Sequence, residues 1–126
     1  MNLNVVEIKP FVPATDFEVS KRFYRELGFQ IPWSDDNLAY VHLGESSFLL
    51  QSFNEPGFAQ NYQMHILVGC VDDWHARVLS SGVVSRFGVA VGTPQDRPWA
   101  MRDFTLFDPS GVLWRIAQNI ARKEEA

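Results

Sequence analysis

Residues 15–28, TDFEVSKRFYRELG, have the pattern of an amphipathic helix with a signal at each end. Thr15 and Glu18 have the spacing of a capping box, and Gly28 stands where a helix ends. Inside the stretch, apolar side chains recur at four-residue intervals, which is the spacing of one helix face. Strand-like segments surround this predicted helix, namely EIKPFV before it and FQIPW, LAYVHLG and SSFLLQSF after it.

The second half of the chain repeats the same order of elements. A strand-like YQMHILVGC leads to a second helix, VDDWHARVLSSG, and three more strand-like segments follow: SRFGVAVG, AMRDFTLF and VLWRIAQ. The interval from Gln63 to Gly82, which ends the second helix, equals the interval from Lys9 to Gly28. We therefore predict an α+β fold, one domain over residues 1–126, with two βαβββ modules at 3–53 and 62–119 whose sheets pair around a shared space.

Three segments fall outside this repeat. NEPGFAQN is predicted to be a polar connector, and RKEEA a solvated tail. VGTPQDRPW has little regular pattern, so it is either a mobile loop over a cavity or a plain surface loop.

The composition is that of an ordinary soluble globular protein, with 46% apolar and 21% charged residues. A net charge of −4 gives no electrostatic footprint for nucleic acid or for a membrane surface. The first residues lack the pattern of a signal peptide, and Cys70 stands alone, which excludes an intrachain disulfide. We expect a cytoplasmic protein with neither a nucleic-acid nor a membrane partner.

In these motifs the chain resembles the vicinal-oxygen-chelate superfamily, which includes glyoxalase I, extradiol dioxygenases, fosfomycin-resistance enzymes and bleomycin-resistance proteins. The resemblance rests on VPATDFEVSKRFYRELGF, LAYVHLGESSFLLQ and RDFTLFDPSGVLWRI, and it covers nearly the whole chain. It implies paired βαβββ modules that form a curved mixed sheet around a cavity, and commonly a homodimer. Metal-free members of the bleomycin-resistance type resemble the chain most, because the metal-ligand positions hold unsuitable side chains.

The metal-ligand positions that the resemblance implies fall on Lys9, Leu49 or Leu50, Gln63 and Arg115. Divalent metals bind imidazole, carboxylate or other lone-pair donors. Ammonium, guanidinium and alkyl side chains have no lone pair to donate. We therefore expect no metal and no other cofactor.

The strand around Arg115 decides which side chains face the predicted cavity. Successive side chains of a strand point to opposite faces, so Arg115 lies on the face opposite Trp114 and Ile116. A DPSG turn that pairs Phe107 with Val112 would place Phe104 opposite Arg115 and Arg102 opposite Ala117. The predicted ligand-binding residues are Lys9, Phe11, Trp33, Tyr40, Gln63, His65, Trp99, Arg102, Phe104 and Arg115.

Each of these assignments has a structural alternative. Arg115 is equally well explained as an ion pair with Glu7, and Lys9 as a side chain that extends to solvent. The aromatic residues are at least as easily explained by packing in the core or in a dimer interface. His65 is the one candidate general base, although a structural role is commoner for a lone histidine, so we assign no catalytic residue.

Three functions remain open on this basis. The first is a metal-free homodimer that binds and sequesters a small molecule, such as an antibiotic or metabolite, with a negatively charged ligand favoured by the predicted cations. The second is a metal-dependent lyase or dioxygenase with a displaced site built from His65, Gln63 and Gln51. The third is a domain that only dimerises or docks, with its own aromatic side chains filling the cavity.

Overall fold

The computed structural model describes residues 1–121, so the predicted tail at 122–126 lies outside the described residues. The described residues form eight strands and four helices. In chain order they are β1 Phe11–Ala14, α1 Phe17–Leu27, β2 Gln30–Ser34, β3 Leu38–Leu43, β4 Ser46–Ser52, α2 Pro56–Gln60, β5 Gln63–Leu67, α3 Val71–Ser81, α4 Val83–Phe87, β6 Gln95–Arg97, β7 Met101–Phe107 and β8 Leu113–Asn119.

The strands form two four-stranded mixed sheets with the same internal order. The first sheet has the order β1-β4-β3-β2 and the second has the order β5-β8-β7-β6. In each sheet the first strand of the module pairs in parallel with the last strand, and the other pairs are antiparallel. The predicted α+β class with a repeated strand order is confirmed. The strands are hydrogen-bonded into two separate sheets, however, and not into one continuous sheet.

Aromatic side chains fill the core between the sheets and helix α1. The ring of Tyr24 packs edge-on against Phe23, Phe48 and Trp114, with centroids 5.2–5.8 Å apart. The Tyr24 hydroxyl donates a hydrogen bond to Asp108 at 2.6 Å and accepts one from the Trp114 indole at 2.9 Å. Burial raises the pKa of Asp108, although this carboxylate accepts hydrogen bonds from Tyr24 and from backbone amides of its own turn. This buried network joins helix α1 to the β7–β8 turn.

The predicted helix ends are confirmed at the C-termini of α1 and α3. Gly28 and Gly82 both have the left-handed conformation, with φ of 115° and 79°. The predicted capping box at Thr15 is wrong, because Asp16 caps α1 by accepting a hydrogen bond from the Val19 amide. The backbone amide and hydroxyl of Thr15 instead bond to the Ser110 hydroxyl.

Four segment predictions need correction. The first strand begins only at Phe11, after Pro10, which cannot donate to a ladder. The predicted connector contains α2. The stretch SRFGVAVG is not a strand, because its first three residues belong to α4, in which residues 83, 84 and 87 pack against the core. Within this stretch only Val91 forms a β-bridge. The next strand, β6, lies instead in the stretch predicted to be irregular. None of the helices in residues 1–121 is long and apolar enough to cross a membrane.

Candidate functional site

Each sheet has one face against the helices and one face without them, which we call its open face. In β8, Trp114 and Ile116 are buried on the helical side, whereas Arg115 projects from the open face with its side chain 37% exposed. The register places His65 beside Arg115 and Gln63 beside Leu113. The open face of the second sheet is therefore formed by Gln63, His65, Arg97, Asp103, Thr105, Leu113 and Arg115.

The predicted register of the β7–β8 hairpin is wrong by one residue. Phe107 pairs with Leu113 and not with Val112, because Val112 still belongs to the turn, where its carbonyl accepts a hydrogen bond from the Asp108 amide. The shift places Thr105 opposite Arg115. Phe104 lies opposite Ile116 and is completely buried, so the prediction that it shares the face of Arg115 is wrong.

The same shift moves Arg102 to the helical side of the second sheet. Its guanidinium lies 3.0 Å from Asp72 at the start of α3 and 3.0 Å from Asp96 of β6. The prediction that Arg102 shares the face of Arg115 is therefore wrong, since two carboxylates on the other side of the sheet hold this side chain.

Asp103 and Arg97 are the two charged residues of the open face that the sequence did not identify. The Asp103 carboxylate is only 1% exposed, and its Oδ1 accepts a hydrogen bond from Arg97 Nε at 2.9 Å. Arg115 Nη1 lies 3.8 Å from the other carboxylate oxygen. Arg115 thus has Asp103 and not Glu7 as its acidic neighbour, and the three formal charges sum to +1.

A polar cluster occupies the open face of the first sheet. Tyr40 Oη donates to Glu7 Oε1 at 3.1 Å, and the Ser47 hydroxyl donates to the same oxygen. Lys9 Nζ lies 3.2 Å from Glu7 Oε2 and 5.4 Å from the centre of the Tyr40 ring. The Ser47 hydroxyl above all, with Lys9 and Tyr40, holds the pKa of Glu7 below its usual value. Lys9 therefore lies on this face, where its ammonium group is paired with Glu7.

A cleft of about 290 Å³ is lined by residues of β3 and β4 from the first sheet and of β5 and β8 from the second. Ser47 from β4 and His65 from β5 both line it, and its walls are otherwise mostly apolar. The lining residues are Pro10, Phe29, Leu43, Ser46, Ser47, Phe48, Met64, His65, Ile66, Leu67 and Trp114. Two larger grooves, of about 460 and 450 Å³, lie along the helices and contain none of the predicted ligand-binding residues. We place the candidate site at the smaller cleft because His65, which lines it, lies beside Arg115 in the register of the second sheet.

The other predicted ligand contacts lie around this region without a shared hydrogen-bond network. Trp33 of β2 is 49% exposed beside Tyr40, and Phe11 of β1 is 51% exposed beside Leu49. Trp99 is 57% exposed in the turn between β6 and β7. Gln63 and His65 are exposed on β5. Their roles in binding stay predictions.

The side chains around the cleft do not fit a divalent metal. Within residues 1–121 no three or more His, Cys, Asp or Glu side chains are grouped so as to hold a metal ion. Lys9 and Arg115 contact carboxylates as cations, and Leu50 is buried in the core. The alternative donors Gln63 and His65 share one strand, whereas Gln51 belongs to the other sheet.

Comparison with known proteins shows the same fold in proteins that bind bleomycin. A sequence model of the family described as "Glyoxalase/Bleomycin resistance protein/Dioxygenase superfamily" matches residues 4–116. A bleomycin resistance protein from Klebsiella pneumoniae is 26% identical over 115 residues, which cover 87% of this chain and 90% of the relative.

Two solved structures support the likeness at the level of the fold. A bleomycin-binding protein complexed with bleomycin superposes with a TM-score of 0.76 at 21% identity, covering 91% of this chain and 99% of the other. A bleomycin-binding protein from Streptomyces verticillus, complexed with copper(II)-bleomycin, has a TM-score of 0.76 at 20% identity, covering 96% and 100%.

Proposed function

Because the chain belongs to the glyoxalase/bleomycin resistance protein/dioxygenase superfamily, we propose that it is a metal-independent protein that binds and sequesters a small molecule. The ligand lies on the open faces and in the cleft between the sheets, and it carries a negative charge. The observation that carries this proposal is the pair of arginines around Asp103.

The charge on the second open face favours an anion. Arg97 and Arg115 share one carboxylate, so the two guanidinium groups keep unused N–H donors while their side chains remain 27% and 37% exposed. Arginine donors bind carboxylate and phosphate groups through two parallel, charge-assisted hydrogen bonds. A buried Asp103 that holds these side chains in place reduces the entropy lost when an anion binds.

The uncharged part of the proposed ligand is apolar or aromatic. The cleft offers Phe48, Met64 and Trp114 as apolar walls beside the polar His65. Trp99 and Trp33 present exposed rings at the rim of the open faces. Mostly apolar clefts with a few polar groups are the usual form of small-molecule sites.

The same charges argue against a cationic ligand such as bleomycin, although relatives with this fold bind it. Like charges that meet in a partly desolvated cleft cost several kcal/mol, which is enough to abolish micromolar binding. From the family we therefore infer that the protein sequesters an antibiotic or metabolite, but we do not infer that this ligand is bleomycin.

We propose further that the protein is a cytoplasmic two-fold homodimer with the sites near its interface. The N-terminal segment exposes large apolar side chains, with Val5 at 76%, Val6 at 96% and Ile8 at 84% exposure. Strands β1 and β5 are both unpaired edges of their sheets. A second copy that covers these surfaces would remove apolar area from water.

A thermal-shift screen with matched acids and neutral analogues tests the proposed function. Benzoate against benzamide, and phenyl phosphate against phenol, separate the charge from the aromatic body. We expect the acids alone to raise the melting temperature of the wild type, and to lose this effect in Arg115→Ala but not in Arg102→Ala. Equal shifts from the neutral analogues would contradict an anionic ligand. Stoichiometric zinc, nickel, iron or manganese in protein purified without chelator would contradict metal independence.

A further inference from the structure

Glu7 makes contacts on the first open face that resemble those of a bound carboxylate ligand. Two hydroxyl groups, from Tyr40 and Ser47, donate to its Oε1, and the Lys9 ammonium lies 3.2 Å from its Oε2. All three groups come from different positions, namely β3, β4 and the segment before β1. Hydroxyl and ammonium donors that converge on one carboxylate are typical of a carboxylate-binding site.

The segment that carries Glu7 has little else to hold it in place. In the described part of the chain, the side-chain hydrogen bonds from residues 1–9 to the sheets all run through Glu7. Val6 and Ile8, its neighbours, are 96% and 84% exposed and so contribute almost no packing. Within one chain, the Glu7 carboxylate is therefore held by a short segment with few other contacts, so it can leave the two hydroxyl groups without disrupting the sheets.

The position of this contact connects it to the candidate ligand site. Ser47 lines the cleft together with His65 and Trp114, and Tyr40 stands beside Trp33 in the register of the sheet. A carboxylate that replaced Glu7 would thus have apolar cleft walls on one side and an exposed aromatic ring on the other.

We propose that the Tyr40 and Ser47 hydroxyl groups form a second carboxylate-binding subsite, and that Glu7 occupies it as an internal competitor that an incoming acidic ligand displaces. This inference rests on the proposed function, because it gives the acidic ligand a second place to bind on the same protein. A tethered group has an effective concentration in the millimolar range. The apparent affinity for a free ligand falls by the fraction of molecules in which the subsite is vacant.

A titration with benzoate, followed through the backbone amide chemical shifts of Tyr40 and Ser47, tests the proposal at this subsite and apart from the arginines. We expect Glu7→Ala to raise the benzoate affinity by at least about tenfold over the wild type. Glu45→Ala is the matched control, since Glu45 is exposed in the turn between β3 and β4 and its loss changes the net charge equally. It should change the affinity by less than about twofold, because exposed charges are screened.

A second variant identifies the subsite. In the Glu7→Ala background, Tyr40→Phe should reverse most of the gain, and circular dichroism checks that each variant is folded. The proposal is overturned if Glu7→Ala binds benzoate no better than the wild type, if Glu45→Ala gives the same gain, or if Tyr40→Phe leaves it intact. Wild-type binding that depends on Arg115 but not on Glu7 would overturn this inference alone and leave the proposed function standing.

Discussion

The guanidinium of Arg97, on the short edge strand β6, lies 2.9 Å from the carboxylate of Asp103, which is 1% exposed in the adjacent strand. This ion pair ties the edge strand to the centre of the second sheet. It also holds the Arg97 side chain on the open face. The same contact therefore stabilises the folded sheet and orients a donor of the proposed anion site.

Replacing Arg97 by alanine should destabilise the protein by about 2 kcal/mol, because a buried carboxylate loses its nearest cation. Chemical denaturation measures the loss. Arg102→Ala is the control, since its partners Asp72 and Asp96 are 59% and 61% exposed and can return to water. It should cost about 1 kcal/mol or less. Equal losses in the two variants would show that Asp103 does not depend on Arg97.

Replacing Tyr24 by phenylalanine should cost about 1–3 kcal/mol at neutral pH, because Asp108 loses a buried hydrogen-bond donor. Burial raises the pKa of Asp108 above 3.8 in the folded protein, so protonation of this side chain stabilises the fold at low pH. This contribution to the free energy of unfolding is lost as the pH rises through the raised pKa. Loss of the hydroxyl raises this pKa further. The difference in unfolding free energy between the variant and the wild type should therefore widen as the pH rises from below 3.8.

Tyr62→Phe is the control for this measurement. The Tyr62 ring is half-buried, and its hydroxyl has no hydrogen bond within residues 1–121. Its removal should cost less than about 0.5 kcal/mol at every pH. A penalty for Tyr24→Phe that stays constant from pH 3 to pH 7 would mean that Asp108 does not titrate with the network.

Gly28→Ala should destabilise the protein by at least about 1 kcal/mol. Gly28 has φ of 115°, and an added Cβ would lie 2.4 Å from a guanidinium nitrogen of Arg77. Gly57→Ala is the matched control, because nothing lies within 4 Å of its added Cβ and the residue belongs to α2. There the substitution should be neutral or stabilising, by up to about 1 kcal/mol. Thermal unfolding that ranks the two variants in the opposite order would contradict this account.

Light scattering should find a dimer at micromolar concentration. Val6→Glu places a charge on the exposed N-terminal segment and should weaken dimerisation at least about tenfold, because a carboxylate is costly to bury. Leu79→Glu, at a 52% exposed position on α3, should leave the dimer intact. A wild-type monomer at this concentration would exclude the proposed assembly.

Local patterns predicted the two long helices, α1 and α3, but missed the short helices α2 and α4. Glycines at the ends of α1 and α3 have a conformation that few other residues adopt, so their positions fixed both helix ends. The stretch SRFGVAVG misled the prediction because Phe87, Val89 and Val91 alternate as in a strand, whereas residues 85–87 complete α4.

The site was predicted less completely, for a reason that lies in one turn. The turn is one residue longer than predicted and ends at Val112, which reverses the side chains of β7 that lie on the open face. Arg102 and Phe104 were therefore assigned to the open face in place of Asp103 and Thr105. The prediction for Arg115 did not depend on this turn length, since its neighbours in β8 set its direction.

Calorimetric titration of the wild type and of Arg115→Ala, with phenyl phosphate and with bleomycin, shows whether Arg115 forms an anion-binding site. Arg102→Ala is the control, because it removes the same charge from the helical side of the sheet. We predict that phenyl phosphate binds the wild type and Arg102→Ala alike, that Arg115→Ala weakens this binding at least about tenfold, and that bleomycin does not bind in the micromolar range. Tight binding of bleomycin by the wild type, or phosphate binding that is unchanged in Arg115→Ala, would contradict the account.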